Sequence, residues 1–538
     1  MSSGKYVLAI DLGTSGCKAA LVSAHGKVVA WQFHAVKTQI IPNGGAEQDP
    51  DDWWNALLTS CRDLIGRDVV RRENVVAVCC STQGEGTVAV DAQGRHLTNA
   101  ILWMDARGAA HLRKITRGPI EVGGYHAYKL FRWIKLTGGA PSTTGKDPAA
   151  HMLFIKHEFP GVYERTHKFL NVLDYLNFRL TGRFVATYDS ILTSWVTDNR
   201  NPDNVVYSDS LLQGCGIDRD KFPEIVKCTD VIGTLNRAVA ATLGLTHDVA
   251  VVAGAIDTTA AAIGSGAVED YEAHLYVGTS SWLAAHVPYK KTDIKTSIAS
   301  LPCAIPGRYL MIALQATAGG NLAFLRDRIL YHEDDLLREE SLPDIYKVMD
   351  RIAERTPPGS NGVIYTPWIF GERSPVDDRT VRAVIYNLSL ENSRADIIRA
   401  FLEGVAFNTR WLLSPVEKFT ARPVGAINIA GGGASSNVWC QIFAEVLDRP
   451  IRQVRDPIQA NVRGAAFIAS VAMGLISFSD IPGYMKYQAT YVPRPETRSL
   501  YDARFREFVN IYEHNKRIFR RLNASRTGKD KTRCPSDS

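Results

Sequence analysis

Asp257 stands between an apolar run and an alanine-rich one, in VVAGAIDTTAAAIGSG (Val251 to Gly266). A carboxylate is ionised at pH 7 and takes a proton from an alcohol only as attack on phosphorus proceeds. A base placed for that step contributes roughly 10²–10⁴ in rate. The same pattern suits a helix N-cap, since Asp precedes Thr-Thr-Ala-Ala-Ala. The two readings are compatible, because a capping carboxylate can still accept a second hydrogen bond. Asp11 closes another apolar run, YVLAID, and opens DLGTSG. A carboxylate there faces phosphate only across a cation, which makes Asp11 a candidate Mg²⁺ ligand. Bonding to its own turn amides is the alternative.

Two Gly/Thr/Ser turns offer concave nests of backbone N–H groups, which bind phosphate. The first supplies Gly13, Thr14 and Ser15, with Lys18 after it, and the second supplies Gly278 and Thr279. Each is equally suited to an ordinary hairpin turn. A third glycine loop, AGGGASSN, places Gly432, Gly433 and Asn437 where a strand gives way to a helix. Such a loop lets backbone approach a flat ligand, and the helix N-terminus favours an anion. No Walker lysine follows and the dinucleotide spacing is absent. In STQGEG and AILWMDARG, Gln83, Glu85 and Asp105 have the groups to exchange hydrogen bonds with sugar hydroxyls, and Trp103 can pack an apolar sugar face. Asp105 and Arg107 suit a loop ion pair as well.

The elements that must hold these residues alternate between strand and helix. Tyr6 to Asp11, Lys18 to Val22 and Val28 to Phe33 read as strands, and a helix follows with Asp49 as cap, Pro50 at N1, and Trp53, Leu57, Cys61 and Leu64 on one face. Val75 to Cys80 is an apolar strand whose adjacent cysteines point to opposite faces. IDLGTSGCKAALV (Ile10 to Val22) is echoed by LYVGTSSWLAAHV (Leu275 to Val287), as a duplicated α/β core requires. The break between halves is expected near Gly264 to Tyr271. Further on come a strand at Tyr309 to Leu314, ATAGGN (Gly319, Gly320) before a helix, a helix over Ser393 to Leu413, and a strand at Ala426 to Ala430. The expected divisions are 1–266, 267–480, a helical extension over 481–523 and a disordered tail over 524–538.

The chain has 538 residues, 45% apolar and 22% charged, with a net charge of +6, which fits a globular protein of at least two domains. That charge is too weak and too scattered for a nucleic-acid surface. Gly464 to Phe478 is shorter than the ~20 residues a membrane span needs. MSSGK leads into a strand without an apolar signal region, and nine scattered cysteines fit reduced core thiols, so a cytoplasmic protein is expected.

In this order the motifs resemble the FGGY carbohydrate kinases, with the xylulokinase-like branch nearest. The likeness runs from about Tyr6 to Ile476 and includes FLNVLDYLNFRLTGRF, GERSPVDDRTVRAVIYNLSL, RAFLEGVAFNTR and VRGAAFIA. It implies a two-lobed hexokinase–actin fold, each lobe a five-stranded mixed sheet flanked by helices around a central cleft. Sugar would bind mostly to the first lobe and ATP mostly to the second. It implies Asp257 as catalytic base and Asp11 beside Mg²⁺ and the γ-phosphate. Thr14, Thr279, Gly432, Gly433 and Asn437 match nucleotide contacts, with Gly319 and Gly320 nearby. Homodimers occur in that family. The resemblance implies a ketopentose such as D-xylulose as acceptor, and because Gln83-Gly84-Glu85-Gly86 replaces the Gln-Met-His-Gly of xylulokinases, a polyol, aldonate or other ketose is the alternative. A regulator that binds sugar and nucleotide without catalysis is the reading from another class.

Overall fold

The computed structural model of the chain describes residues 4–330 and 344–523. The expected disordered tail, 524–538, lies outside the described residues. β1 (Tyr6–Gly13) and β2 (Gly16–Ser23) form a hairpin in which Asp11 pairs with Lys18 and Gly13 with Gly16. β3 (Val28–Ala35) follows. α1 (Pro50–Ile65) is capped by Asp49, whose carboxylate accepts from the Asp51 N–H at 2.9 Å. Its Trp53, Leu57, Cys61 and Leu64 are fully buried, as the spacing requires. β4 (Val75–Thr82), β5 (Val231–Thr234) and β6 (Ala250–Ile256) complete a sheet ordered β5-β6-β4-β1-β2-β3. Cys79 and Cys80 enter separate cores on its two faces. α2 (Asp257–Gly264) begins at the residue after β6.

The second half is built from β7 (Ala273–Val277), β8 (Ser281–Val287), β9 (Thr292–Asp293), β10 (Ile298–Pro302), β11 (Tyr309–Gln315), α3 (Gly319–Leu325), α4 (Arg394–Thr420), β12 (Ile427–Ala430), α5 (Asn437–Leu447), β13 (Ile451–Val454), α6 (Ala460–Ala472), β14 (Tyr487–Tyr491) and α7 (Pro495–Asn523). Its sheet runs β9-β10-β11-β8-β7-β12-β13-β14. The core β11-β8-β7-β12-β13 repeats β3-β2-β1-β4-β6 in order and in strand direction. The Gly-Thr-Ser echo therefore marks one hairpin made twice. The expected five strands form the core of each sheet, but edge strands enlarge the sheets to six and eight.

Three expectations need correction. The 481–523 extension is not purely helical: β14 pairs with β13 at the sheet edge, and Tyr501, Phe508 and Ile511 of α7 enter the second core. α4 runs past Leu413 through Pro415, because Val416, Phe419 and Thr420 continue its buried face. The halves also share helices across the expected break. Val462, Ala465 and Phe467 of α6 pack with Val7, Ala20 and Val252 of the first sheet, while Ala261 and Ala262 of α2 pack with Trp282 and Leu310 of the second. α2 and α6 touch where Gly264 and Gly464 leave room for backbone. Arg463 is buried beside this crossing and donates to the carbonyls of Gly26, Gly264 and Arg455. Asn387 has the left-handed φ of 65° that Asn tolerates. Among the described residues, no helix is long and apolar enough to cross a membrane.

Candidate active site

A cavity of about 770 Å³ opens between the two sheets. The β1–β2 turn lines it with Asp11, Gly13, Thr14, Ser15 and Lys18, and the β7–β8 turn lines it with Gly278 and Thr279. The duplicated turns thus open on one space. Asp257, Gln83, Glu85 and Trp103 line it too, and so do Arg373 and Asn461, which sequence reasoning did not select.

Each side chain is held by neighbours. The Asn461 amide donates to Asp11 at 3.2 Å, and Lys18 Nζ lies 4.0 Å from the other Asp11 oxygen. Lys18 also donates to the Ile458 carbonyl at 2.6 Å, which ties the first turn to the approach to α6. Thr14 Oγ1 donates to Gln83 Oε1 at 2.8 Å and accepts from Trp103 Nε1 at 3.1 Å. Gln83 in turn donates to Gln48 at 3.1 Å, and Gln48 donates to the Thr14 carbonyl at 2.7 Å. Gln83 therefore spends part of its bonding capacity holding the loop.

Burial raises the Asp11 carboxyl above the usual range, against the pull of Lys18 and Asn461. Burial also lifts Asp257 to about 7, and the charges of Asp11, Glu85 and Asp189 add to the lift against the Thr258 N–H. A carboxylate recessed beside another carboxylate has the proton affinity a general base needs near neutral pH. The expected helix cap is displaced by one residue. α2 starts with Asp257 itself, and Ile256 occupies the N-cap position without a side-chain bond.

Several predicted residues stand outside the cavity lining. Asp105 is buried, accepts from the Ala46 and Arg107 N–H groups at 2.9 Å each, and pairs with the Arg107 guanidinium at 2.7 Å. The loop ion pair is what forms, and it leaves no carboxylate turned to the cavity. The amides of Gly319 and Gly320 bond back to the carbonyls of Gly278 and Thr279 at 2.8 and 3.0 Å, so these glycines brace the second turn. A Cβ added at Gly432 would meet nothing within 4 Å, whereas one at Gly433 would press on Val277. Asn437 accepts from Gln453 at 3.1 Å at the start of α5, and Ser436 is that helix's cap.

The sequence matches the N-terminal domain of the FGGY family of carbohydrate kinases over residues 6–264, and the C-terminal domain over residues 273–473. The chain belongs to this family. Its reaction is ATP-dependent phosphoryl transfer to a sugar hydroxyl. It is 26% identical over 517 residues to a xylulose kinase of Staphylococcus epidermidis, covering 96% of this chain and 98% of that one. It is also 26% identical over 510 residues to a gluconokinase of Bacillus licheniformis, covering 94% and 95%. The gluconate kinase structure from Lactobacillus acidophilus superposes with a TM-score of 0.81 at 24% identity, covering 98% of this chain and 100% of that one.

In this FGGY kinase the strand-to-helix junction that carries Asp257 rests on a residue the motifs did not reveal. Asp189, fully buried, accepts the Ile256 N–H at 3.0 Å and the Thr187 hydroxyl at 2.7 Å. Its sequence signal, an acidic residue inside ATYDSIL, is indistinguishable from a turn aspartate. Asp189→Leu is expected to leave the Ile256 N–H unpaired and to lower kcat about tenfold or more by loosening Asp257. Steady-state kinetics would check this, with KM for ATP expected to stay near the wild-type value.

Proposed function

We propose that this kinase phosphorylates a neutral ketose, with D-xylulose as the leading candidate, and that Asp257 is the base that takes the hydroxyl proton. The observation that carries the reading is Asp257, lifted to about 7, in a cavity shared with both phosphate-type turns. Phosphoryl transfer demands positioning and charge neutralisation more than covalent help, and those are what two N–H nests, Lys18 and a poised carboxylate supply. The relatives named xylulose kinase support the choice of sugar.

Asp11 would hold Mg²⁺. Its oxygen donors fit a hard divalent cation, and a carboxyl lifted by burial beside a second carboxylate is a place where added positive charge is favourable. Mg²⁺ there would neutralise charge on the phosphoryl group. Gln83 and Trp103 fix the Thr14 loop, and Glu85 reaches the sugar. The backbone at Gly432, with open space where a side chain would stand, would frame the nucleotide together with Asn437, Gly319 and Gly320.

ADP release measured across ketopentoses, polyols and aldonates tests the sugar assignment. The expected result is that a ketopentose gives the highest kcat/KM. A best substrate from the aldonates would overturn it. The kcat/KM of that substrate is expected to fall as pH drops through and below about 7, because the base must be ionised to accept a proton.

A further inference from the structure

Arg373 is the one cavity-lining cation contributed by the second half of the chain, among the described residues. Its backbone is fixed by Glu372, which is buried. Glu372 Oε1 accepts the Ala316 N–H at 2.9 Å and the Arg373 N–H at 2.7 Å, and Oε2 accepts from Asn408 at 2.5 Å. This pins the segment to the end of β11 and to α4. The Arg373 side chain beyond that anchor is exposed and makes no hydrogen bond or ion pair among the described residues.

Glu85 approaches the same cavity from the first half. It has a φ of 60°, a conformation that costs a non-glycine residue free energy and is often kept where function requires it. Burial raises its carboxyl, and Arg373 and then Lys146 pull it down, so the three charges lie within one another's field. Glu85 and Arg373 nevertheless form no ion pair among the described residues. Two opposite charges near each other across a cavity, each rooted in a different half, leave room for a group that satisfies both.

A sugar hydroxyl is such a group, because it donates to a carboxylate and accepts from a guanidinium at once. A carboxylate group in that place accepts only, and its charge would repel Glu85. We propose that Arg373 is a specificity-determining residue that, with Glu85 facing it, reads adjacent hydroxyls of a neutral sugar. The proposal rests on the sugar-kinase reading above and extends it to the second half of the chain, which thereby takes part in acceptor recognition.

The experiment compares wild type with Arg373→Met, Arg373→Lys, Glu85→Gln and the Arg373→Met/Glu85→Gln double variant, on the neutral sugar that wild type uses best. Arg373→Met and Glu85→Gln are each expected to lower kcat/KM for sugar about 10- to 100-fold, as loss of a charged hydrogen bond does, mainly through KM. KM for ATP should change less than about twofold, and Arg373→Lys should recover part of the loss. The double variant should lose less than the product of the single losses, because both residues act on one ligand. Thermal melting of each variant separates these effects from misfolding, and an exposed Arg373 predicts unchanged melting. A fully multiplicative double variant, a loss confined to KM for ATP, or indifference to Arg373→Met would overturn the proposal while leaving sugar kinase activity intact. Absence of wild-type turnover with every sugar would overturn the sugar-kinase reading and this proposal together.

Discussion

Asp257→Asn is expected to lower kcat by about 10²–10⁴ while leaving KM for ATP nearly unchanged. The same variant is expected to melt at a higher temperature than wild type at pH 8. The reason lies in what the active site imposes on the fold. The Asp257 carboxyl, lifted to about 7 by burial and by Asp11, ionises near 4 in the unfolded chain. A raised folded-state value means that the native state binds the proton more tightly. Its stabilising effect is full at low pH and is lost as pH rises between about 4 and 7. Asparagine imposes no such loss. The gap in melting temperature, measured without Mg²⁺, should therefore be small at pH 5, widen as pH rises, and level off above about 7. Unchanged kcat would remove Asp257 from the chemistry. A variant that melts lower than wild type at pH 8 would contradict the electrostatic account.

Gly464→Ala should destabilise the protein by about 1–3 kcal/mol, the usual effect of overpacking. Helix propensity alone predicts the reverse, since alanine is favoured over glycine by about 1 kcal/mol inside a helix. Packing decides the sign. A Cβ on Gly464 would lie 1.8 Å from the Ala260 carbonyl oxygen, and one on Gly264 would lie 1.8 Å from that of Ala460. Both obstacles are backbone, so no rotamer change relieves them and α2 and α6 must separate. These helices carry Asp257 and Asn461, and Asn461 bonds Asp11. Separation should therefore lower kcat as well as the melting temperature. Calorimetry and steady-state kinetics would show both effects, and a Gly464→Ala protein as stable and active as wild type would refute the close crossing.

What the sequence made legible follows from range. The hairpin around DLGTSG, the capped α1 and the opposite-facing Cys79 and Cys80 all depend on period and local turn chemistry, and each formed as read. The Gly-Thr-Ser echo exposed the duplication, because a hairpin motif survives in consecutive residues. The exchange of α2 and α6 between sheets left no such trace. Both helices are apolar on nearly every face, which signals burial without naming the partner. Asp105 shows the same limit within the site. A carboxylate beside aromatic and basic residues reads equally as a sugar ligand or an ion pair, and only the fold brings the Ala46 N–H onto Asp105 and Glu47 onto Arg107. Asp189 escaped notice because its partner, the Ile256 N–H, lies 67 positions away, and Arg373 because Glu85, whose carboxyl feels its charge, lies 288 positions away.

The two halves contribute unequal chemistry to one cavity. The first brings the carboxylates of Asp11, Glu85 and Asp257, and the second brings the Gly278-Thr279 turn and Arg373. Two ligands held in such a cavity would be placed for transfer from one to the other. Phosphorus NMR of wild-type protein with ATP, Mg²⁺ and D-xylulose tests that most directly. The expected spectrum shows ADP and a sugar monophosphate appearing in equal amounts, with neither formed when sugar is omitted. ADP accumulating with inorganic phosphate and no sugar phosphate, for D-xylulose and for every other sugar tried, would contradict it.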